Sequence, residues 1–256
     1  MILAVDIGNT KIAAGLVNGA EVSARTSVPT DAGAAPEAVW SALAAGLGTM
    51  ERLDGAVVCS VVPGVTRLVI EAARKGAGIE PVEFTAATPI GITNRYEPPS
   101  DVGADRLANA YAAWKLYGLP AIIVDIGTAL TIDCVSGEAE YLGGVIAPGI
   151  GISLDALHGR TALLPRVTLE LPPKVLGTST VASIQSGITL GHTVMIASLV
   201  EALRDELGFG QEARVVITGG YTAVLGPRLQ AVSKLIDPDL TLKGLALIWS
   251  ALASKP

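Results

Sequence analysis

Two short segments of the chain repeat one pattern, and this repeat constrains the fold more than any other feature of the sequence. Residues 2–10 read ILAVDIGNT and residues 122–128 read IIVDIGT, so each copy is an apolar run that ends in Asp-x-Gly with a threonine close behind. An apolar run bounded by a glycine turn is typical of a buried strand, and the residues that follow each copy, 12–17 and 130–135, are again apolar and β-prone. Each copy is therefore predicted to be a β-hairpin with an aspartate beside its turn.

The residues at these turns suit the binding of a nucleotide. Glycine lets the backbone approach a phosphate closely, threonine hydroxyls and turn N–H groups can donate to it, and an aspartate can hold the Mg²⁺ that accompanies a nucleotide. Two such hairpins facing each other would clamp one nucleotide. We expect Asp6 to be the carboxylate on the Mg²⁺ side. An aspartate that merely caps a turn is the weaker alternative, because the motif occurs twice.

The repeat also predicts two domains of one α/β fold. Asp6 and Asp125 are separated by 119 residues, and each half continues through helix-prone sequence to a later short strand, at residues 55–62 and 214–217. We place the join at residues 117–120, a helix stop followed by a new buried strand, which gives domains 1–118 and 119–256. Apolar residues at helical spacing predict helices over residues 36–46, 65–75, 105–116, 180–207 and 242–254.

The composition agrees with a compact α/β protein and disfavours some functions. The mean hydropathy of +0.52 is high, as in folds with fully buried strands and in oligomers that hide a large interface. A net charge of −6 without clustered Lys and Arg argues against a nucleic-acid surface. Asp6 interrupts the first apolar run, so we expect no signal peptide. Residues 175–200 carry no charged residue other than a histidine, but their many hydroxyl side chains argue against a membrane span.

The cysteines and histidines give no sign of a metal site. Cys59 and Cys134 lie in apolar, strand-like runs without CxxC spacing, so we expect buried thiols in a reducing cytoplasm. His158 and His192 have no carboxylate or cysteine at ligand spacing. Neither histidine is predicted to act as a metal ligand or as a base.

Five motifs occur in the order seen in type III pantothenate kinases, and the chain resembles that family over essentially its whole length. They are Asp6-Ile-Gly-Asn-Thr10, Gly103-Ala-Asp-Arg106, Asp125-Ile-Gly-Thr128 with Thr131 and Asp133, Gly143-Gly144-x-x-x-Pro148-Gly149, and Thr218-Gly-Gly220. A single Asp-x-Gly-Thr would be weak, since many actin-like ATPases and sugar kinases have one, but the ordered set is specific. The resemblance implies a duplicated actin-like (ribonuclease H-like) fold of two domains, with mixed β-sheets flanked by helices.

The same resemblance implies the function. It implies ATP-dependent phosphorylation of pantothenate to 4'-phosphopantothenate, the first step of coenzyme A synthesis, by a homodimer. Members of the family need Mg²⁺ with ATP and a monovalent cation, K⁺ or NH₄⁺.

Phosphoryl transfer requires groups that align the reactants, neutralise charge and accept a proton from the attacking hydroxyl. Asp105 is our candidate general base, and Arg106 our candidate partner of the pantothenate carboxylate in a bidentate pair. The local sequence alone equally allows an N-capping aspartate beside a solvated arginine. The match to the family's Gly-x-Asp-Arg motif favours the functional interpretation.

The remaining site residues follow from the resemblance. For ATP and its phosphates they are Asp6, Gly8, Asn9, Thr10, Lys11, Gly127, Thr128, Gly219 and Gly220, and for pantothenate Tyr96, Gly103, Ala104, Asp105, Arg106 and Thr180. Asp125 resembles the carboxylate that holds the monovalent cation. Thr180 resembles a threonine contributed by the partner subunit, which implies an active site near the dimer interface. A helix cap formed by residue 178, 179 or 180 fits the local sequence equally well. The glycines at 143, 144 and 149 are predicted to form a bend.

Other classes of function remain to be weighed. A non-catalytic, ATP-binding regulatory or accessory factor of the same fold is the main alternative, and the presence of both Asp105 and Arg106 argues against it. A related kinase for a sugar or short acid would build its pocket from polar residues in longer inserted segments, which this chain lacks. A subunit of a tRNA-modifying complex is disfavoured by the acidic charge.

Overall fold

The computed structural model describes residues 1–48, 50 and 53–254, and these residues form two compact units. The first unit contains Met1–Gly118, Ala139–Tyr141 and the chain from Asp239 onward, whereas the second contains Leu119–Glu138 and Leu142–Pro238. The C-terminal residues thus pack with the first unit, unlike in the sequence-based division. The assignment of 1–118 and 119–256 as two domains of one fold stays a prediction.

Strands and helices alternate along most of the described chain. The strands are β1 Ile2–Ile7, β2 Lys11–Asn18, β3 Glu21–Pro29, β4 Gly55–Ser60, β5 Val82–Phe84, β6 Thr93–Asn94, β7 Ala121–Ile126, β8 Ala129–Val135, β9 Glu140–Pro148, β10 Arg214–Thr218 and β11 Leu235–Ile236. The helices are α1 Pro36–Leu47, α2 Pro63–Ala77, α3 Ala104–Tyr117, α4 Ile150–Gly159, α5 Thr180–Leu207, α6 Thr222–Leu229 and α7 Leu240–Ala253.

The first unit is built on a five-stranded mixed sheet with the order β3-β2-β1-β4-β5. β1 pairs antiparallel with β2 and parallel with β4, and Asp6 lies opposite Cys59 in the parallel pair. Because side chains alternate between the two faces of a strand, Leu3, Val5 and Ile7 share one face, which packs against α1 and α2. Asp6 therefore faces the opposite side of the sheet.

Helix α7 packs on that opposite face, where glycines make room for it. A Cβ at Gly15 would lie 2.9 Å from Leu242 Cδ1, and one at Gly55 would lie 2.4 Å from Trp249 Cζ2. α7 also packs extensively against α3, the helix that carries Asp105. The face of the sheet that bears Asp6 is thus covered by α7, and α7 in turn supports α3.

The second unit repeats the same local arrangement. β7 pairs antiparallel with β8 and parallel with β10, and Asp125 lies opposite Thr218 in the parallel pair. One face of this mixed sheet packs against α5 and α6, through Ile122 and Val124 among others. β6 pairs in parallel with the first two residues of β9, all four of these residues belonging to the first unit.

The structure confirms both hairpins and all five predicted helices, and it corrects one turn. Gly143 and Gly144 were predicted to form a bend, but they lie within β9. Glycine is needed there for close packing, since a Cβ at Gly144 would lie 1.8 Å from the carbonyl oxygen of Ile132 on the neighbouring strand. The α/β class, with mixed sheets flanked by helices, is confirmed.

By length and composition, one helix among the described residues, α5, is long and apolar enough to cross a membrane. An apolar helix in the core of a folded domain passes the same test. One face of α5 contributes Ile184, Ile188, Ile196 and Val200 to the core of the second unit.

The contact between α3 and α7 gives a first prediction. A Cβ at Gly244 would lie 2.2 Å from the carbonyl oxygen of Ala108, so Gly244→Ala must push the two helices apart. We expect the free energy of unfolding to fall by about 1–3 kcal/mol, measured by urea denaturation, although alanine is the better helix former. The control is Gly64→Ala in α2 of the same unit, where nothing lies within 4 Å of the added methyl. Equal urea midpoints for the two variants would show that the helix contact tolerates a methyl group.

Candidate active site

Asp6 lies at the carboxyl end of β1, directly before the first glycine turn. The Gly8 N–H donates to the Lys11 carbonyl at 3.0 Å, which closes the turn, and the side chains of Asn9, Thr10 and Lys11 are exposed. The polar groups expected to meet the β- and γ-phosphates are therefore presented to solvent close in sequence to a half-buried carboxylate.

Thr30 directly follows β3 and supports this turn, although no sequence pattern indicated it. Its hydroxyl donates to the Gly8 carbonyl at 2.7 Å, and its N–H donates to the Thr10 carbonyl at 3.1 Å. Two bonds to one turn restrict the turn's conformation. In the sequence, Thr30 is a single threonine 20 residues after Thr10. No local pattern links the two residues, and only the pairing of β2 with β3 brings them together.

The second glycine turn is closed and supported in the same way. The Gly127 N–H donates to the Ala129 carbonyl at 3.1 Å. The Tyr221 N–H donates to the Ile126 carbonyl at 3.1 Å, as the Val61 N–H donates to the Ile7 carbonyl at 3.0 Å in the first unit. In each unit the loop after the parallel strand is thus tied to the glycine turn.

Asp125 and Gly219 lie against each other in the second unit. Gly219 has a φ of +99°, and a Cβ there would lie 2.4 Å from Asp125 Oδ1 and 2.6 Å from the Ile126 backbone nitrogen. Both the backbone conformation and the available space thus require glycine. The structure brings together two residues that the sequence placed in separate motifs.

The N-terminus of α4 also packs on the second turn. A Cβ at Gly149, the N-cap of α4, would lie 2.2 Å from the Thr128 carbonyl oxygen and 2.6 Å from that of Gly127. His192 on α5 supports this region, because its Nε2 lies 3.2 Å from the Pro148 carbonyl oxygen and its Nδ1 lies 2.7 Å from that of Ile188. His192 is buried and holds the backbone in place, which leaves it outside the predicted chemistry.

Asp105 and Arg106 lie in the first turn of α3. The N-cap of this helix is Gly103, without a side-chain cap, so Asp105 is not the N-capping residue that local sequence allowed. Asp105 Oδ1 accepts from the Arg106 N–H at 2.9 Å, and a Cβ at Gly103 would lie only 2.3 Å from the same oxygen. Gly103 therefore leaves the space that the carboxylate occupies.

The environment of Asp105 raises its pKa. Burial disfavours the charged carboxylate and is the largest cause, while the Arg106 N–H and guanidinium charge partly offset it. A carboxylate with a raised pKa is a better proton acceptor than an ordinary aspartate.

Arg106 is buried, with 7% of its surface exposed, so the alternative of a solvated arginine is wrong. Its guanidinium carbon lies 5.5 Å from the centre of the Tyr96 ring and 5.8 Å from that of Tyr141. The two rings are 6.2 Å apart at 54° to each other. Cation–π contacts of this kind stabilise a desolvated guanidinium and restrict its orientation.

Tyr141 is fully buried and was missed by the sequence analysis. It reaches Arg106 because β6 pairs with β9, which sets Asn94 opposite Tyr141. Arg95 Nε donates to Glu140 Oε1 at 2.9 Å beside this pair. A tyrosine 35 residues from Arg106 carries no local signal, so only the strand pairing reveals it.

Cys59 lies beside Asp6 in the first unit. It is buried, as predicted, and its thiol donates to Asp6 Oδ1 at 3.3 Å. Burial raises the pKa of this thiol, and the negative charges of Asp6 and Asp105 raise it further. The contact between Cys59 and Asp6 joins two distant segments of the chain, which the sequence could not establish.

Thr180 is exposed at the first position of α5 in the second unit. Ser179 is the N-cap, since its hydroxyl oxygen accepts from the Ala182 N–H at 3.2 Å. Of the three cap candidates in the sequence, the structure therefore selects Ser179 and leaves the Thr180 side chain available.

The carboxylate of Asp6 suits a Mg²⁺ ion that binds together with a nucleotide. No group of three or more His, Cys, Asp or Glu residues that could hold a metal ion by itself occurs within the described part of the chain. Mg²⁺ in nucleotide sites usually keeps several waters and takes one or two carboxylates plus the phosphates, so a site of this kind needs no such cluster. Asp6, a hard oxygen donor beside an exposed glycine turn, fits that requirement.

Comparison with known proteins gives a consistent result. The family model for type III pantothenate kinase matches residues 2–202. The chain is 40% identical to the type III pantothenate kinase of Moorella thermoacetica over 253 residues, covering 97% of this chain and 98% of the relative. It is 42% identical to that of Rubrobacter xylanophilus over 267 residues, covering 100% and 99%.

A solved structure supports the fold class. The activator of 2-hydroxyisocaproyl-CoA dehydratase from Clostridium difficile, solved with bound ADPNP, aligns with a TM-score of 0.52 at 14% identity, covering 100% of this chain and 98% of that one. The fold is that of the actin-like ATPases and sugar kinases. The matching family model, and the 40–42% identity to these relatives over nearly the whole chain, show that the chain belongs to the type III pantothenate kinases.

Proposed function

We propose that this pantothenate kinase uses Asp105 as the general base and Arg106 as the partner of the pantothenate carboxylate. The proton of the primary hydroxyl passes to Asp105 as the hydroxyl oxygen bonds to the γ-phosphorus of ATP. The bond from that phosphorus to the β,γ-bridging oxygen breaks, and ADP leaves. The observation that carries this proposal is the first turn of α3, where a carboxylate with a raised pKa adjoins a buried guanidinium.

Asp105 combines two influences that suit a base. Burial raises its pKa, which makes it a stronger proton acceptor, while its place in the first turn of α3 favours the ionised form through the helix dipole. The raised pKa and the helix dipole thus act in opposite directions on the charge of this carboxylate.

Arg106 is held before substrate arrives. Its contacts with Tyr96 and Tyr141 fix the plane of the guanidinium, whose fork geometry matches a carboxylate. A side chain that is already ordered loses little entropy on binding. We assign Tyr96 and the backbone of Gly103 and Ala104 to the same pocket, because they flank these two groups in the first unit.

For the nucleotide we assign Asp6 to the Mg²⁺ side and the turn of Gly8, Asn9, Thr10 and Lys11 to the β- and γ-phosphates. Mg²⁺, when bound, neutralises charge on the phosphates during transfer. In the second unit we assign Gly127 and Thr128 to the phosphates and Gly219 and Gly220 to the adenosine. Asp125 is assigned to a monovalent cation, K⁺ or NH₄⁺.

We also propose a cytoplasmic location for the protein. The two buried cysteines form no disulfide, which agrees with a reducing compartment.

We further propose a homodimer, supported by the distribution of exposed apolar side chains. Eight large apolar side chains are exposed among the described residues, and seven of them belong to the second unit: Ile146, Ile152, Leu163, Val175, Leu176, Val181 and Val194. Exposed apolar side chains that concentrate in one part of a protein agree with a protein interface there. Thr180 lies between Leu176 and Val181 in sequence, so an interface here would bring Thr180 close to the partner subunit, as a shared active site requires.

Replacement of the base tests the mechanism. Asp105→Asn should reduce pantothenate-dependent ADP release by about 10²- to 10⁴-fold in an assay with ATP, Mg²⁺ and K⁺. Asp101→Asn, the same change at an exposed carboxylate nearby, should keep activity. Equal turnover of both variants would exclude Asp105 as the base.

The pH and the cation give two further readings of the same assay. The wild type should lose activity as the pH falls through the raised pKa of Asp105, hence at a higher pH than an ordinary aspartate would predict. Equal rates in K⁺ and Na⁺ would exclude the cation requirement.

The same variant should not be less stable. A raised folded-state pKa means that the native state binds the proton more tightly than the unfolded state, so Asp105 contributes stability at low pH that is lost as the pH rises through the raised value. Asparagine stays neutral and avoids that loss. We expect the Tm of Asp105→Asn to rise by about 1–3 °C at neutral pH, and this gain to vanish below the pKa of an ordinary aspartate. A lower Tm at neutral pH would contradict the assignment.

Gly219→Ala tests the role of the second unit. The methyl would press on Asp125 in a backbone conformation that alanine disfavours, so we expect the KM for ATP to rise about tenfold or more with less effect on the KM for pantothenate. Gly137→Ala, where nothing lies within 4 Å of the methyl, is the control in the same unit. An unchanged KM for ATP in Gly219→Ala would remove this turn from the nucleotide site.

Light scattering tests the homodimer. The wild type should have twice the chain mass of 26.0 kDa, and Val194→Glu should reduce that value. Val82→Glu, at an exposed apolar residue of the first unit, should not reduce it.

Mixing inactive Asp105→Asn with inactive Thr180→Val should restore activity, because one site of each mixed dimer then has both native residues. A monomeric wild type, or mixing without recovery, would contradict a shared site.

A further inference from the structure

Cys59 occupies a special place beside Asp6. The two residues are directly opposite each other in the parallel pair of β1 and β4, so their side chains share one face at the carboxyl end of the sheet. The thiol is fully buried, and its sulfur lies 3.3 Å from Asp6 Oδ1. This contact joins the predicted nucleotide carboxylate to a side chain that the kinase mechanism above does not use.

We propose that Cys59 is a positioning residue, whose S–H donates to one oxygen of Asp6 and thereby holds the carboxylate in one orientation for the Mg²⁺-bound nucleotide. The proposal rests on the function proposed above for Asp6. Cys59 itself contacts neither substrate nor metal in this role, and it acts only through Asp6.

The carboxylate needs such a partner because its terminal torsion is soft. The χ2 torsion of aspartate is broad and roughly two-fold, so neither oxygen is fixed by the backbone alone. Hydrogen bonds from neighbouring residues commonly orient carboxylates that meet a metal, and their loss weakens metal affinity. A donor on the adjacent strand, at the same register position, supplies that restraint with little flexibility of its own.

A thiol suits this position because the S–H group is a weak donor. It orients Asp6 without withdrawing much negative charge from it, whereas a lysine or arginine in its place would compete with Mg²⁺ for the carboxylate.

The second unit provides an independent parallel. Thr218 lies opposite Asp125 in the parallel pair of β7 and β10, which is the register position of Cys59 opposite Asp6. Thr218 is also buried, with 1% of its surface exposed. Each unit therefore places a buried side chain with a hydrogen-bond donor beside the aspartate at the end of its central strand. If these two positions served only close packing, an apolar side chain would suffice at each.

The test compares variants of equal shape that differ in the donor. Cys59→Thr and Cys59→Val differ by a hydroxyl in place of a methyl, and Cys59→Ser and Cys59→Ala form a smaller pair. We would measure the Kd of ATP by isothermal titration calorimetry with and without Mg²⁺, and the Mg²⁺ concentration that gives half-maximal turnover. Loss of one hydrogen bond is expected to raise both Mg²⁺-dependent values about 3- to 10-fold in Val and Ala relative to Thr and Ser. The KM for pantothenate should change less than about twofold.

Cys134→Ala is the matched control. Cys134 is a buried thiol of the second unit, and burial raises its pKa to about 12, yet it lies opposite Ile122 and away from Asp125 in the strand register. Its replacement should lower the Tm without changing the Mg²⁺ dependence. If the Ala variant of Cys59 does not fold, the Thr and Val pair still separates the donor from the packing.

Two outcomes would overturn the proposal, and they differ from failure of the proposed function. If Val and Ala match Thr and Ser in Mg²⁺ dependence while Asp6→Asn loses it, Cys59 serves packing only and Asp6 keeps its assigned role. If Asp6→Asn binds Mg²⁺ and ATP like the wild type, the assignment of Asp6 itself is wrong, and the role of Cys59 falls with it.

Discussion

The parallel pairing of a central strand with a later strand is the constraint on which the site depends. In the first unit this pairing sets β4 beside β1, and in the second it sets β10 beside β7. Because the carboxyl ends of parallel strands lie at one edge of a sheet, the aspartate of each hairpin meets the end of the later strand or the loop that follows it. Asp6 thereby acquires Cys59 as a neighbour, and Asp125 acquires Gly219. If either pairing slipped by one residue, these side chains would point to the opposite face of the sheet.

The sequence predicts those parts of the fold and of the candidate site that leave a pattern in neighbouring residues. The hairpins, α5 and the aspartates at the strand ends have strong local patterns, and the ordered motifs led to the correct family and fold class. Tyr141, Thr30 and the contact between Cys59 and Asp6 could not be found in this way, because each depends on a strand register that joins distant parts of the chain. Gly144 shows the opposite error, since a glycine interpreted as a bend serves to let two strands approach.

The electrostatics of the first unit oppose stability, because charged groups are desolvated there. Asp105 is partly buried, Arg106 is almost fully buried, and Cys59 has both carboxylates nearby. Desolvation of charged groups costs free energy, which the surrounding apolar strands and helices offset. The neighbouring aromatic rings reduce the cost for Arg106, and Gly103 leaves space for the carboxylate that follows it.

The position of α7 has a consequence for how the first unit folds. This helix follows the whole second unit in the chain, yet it packs on the sheet face that bears Asp6 and on α3. Contacts between segments so far apart in sequence cost loop-closure entropy before they contribute stability, and a topology rich in such contacts folds slowly. The core of the second unit, in contrast, is contained within a nearly continuous stretch of chain. Completion of the first unit is therefore expected to be the slower of the two folding steps.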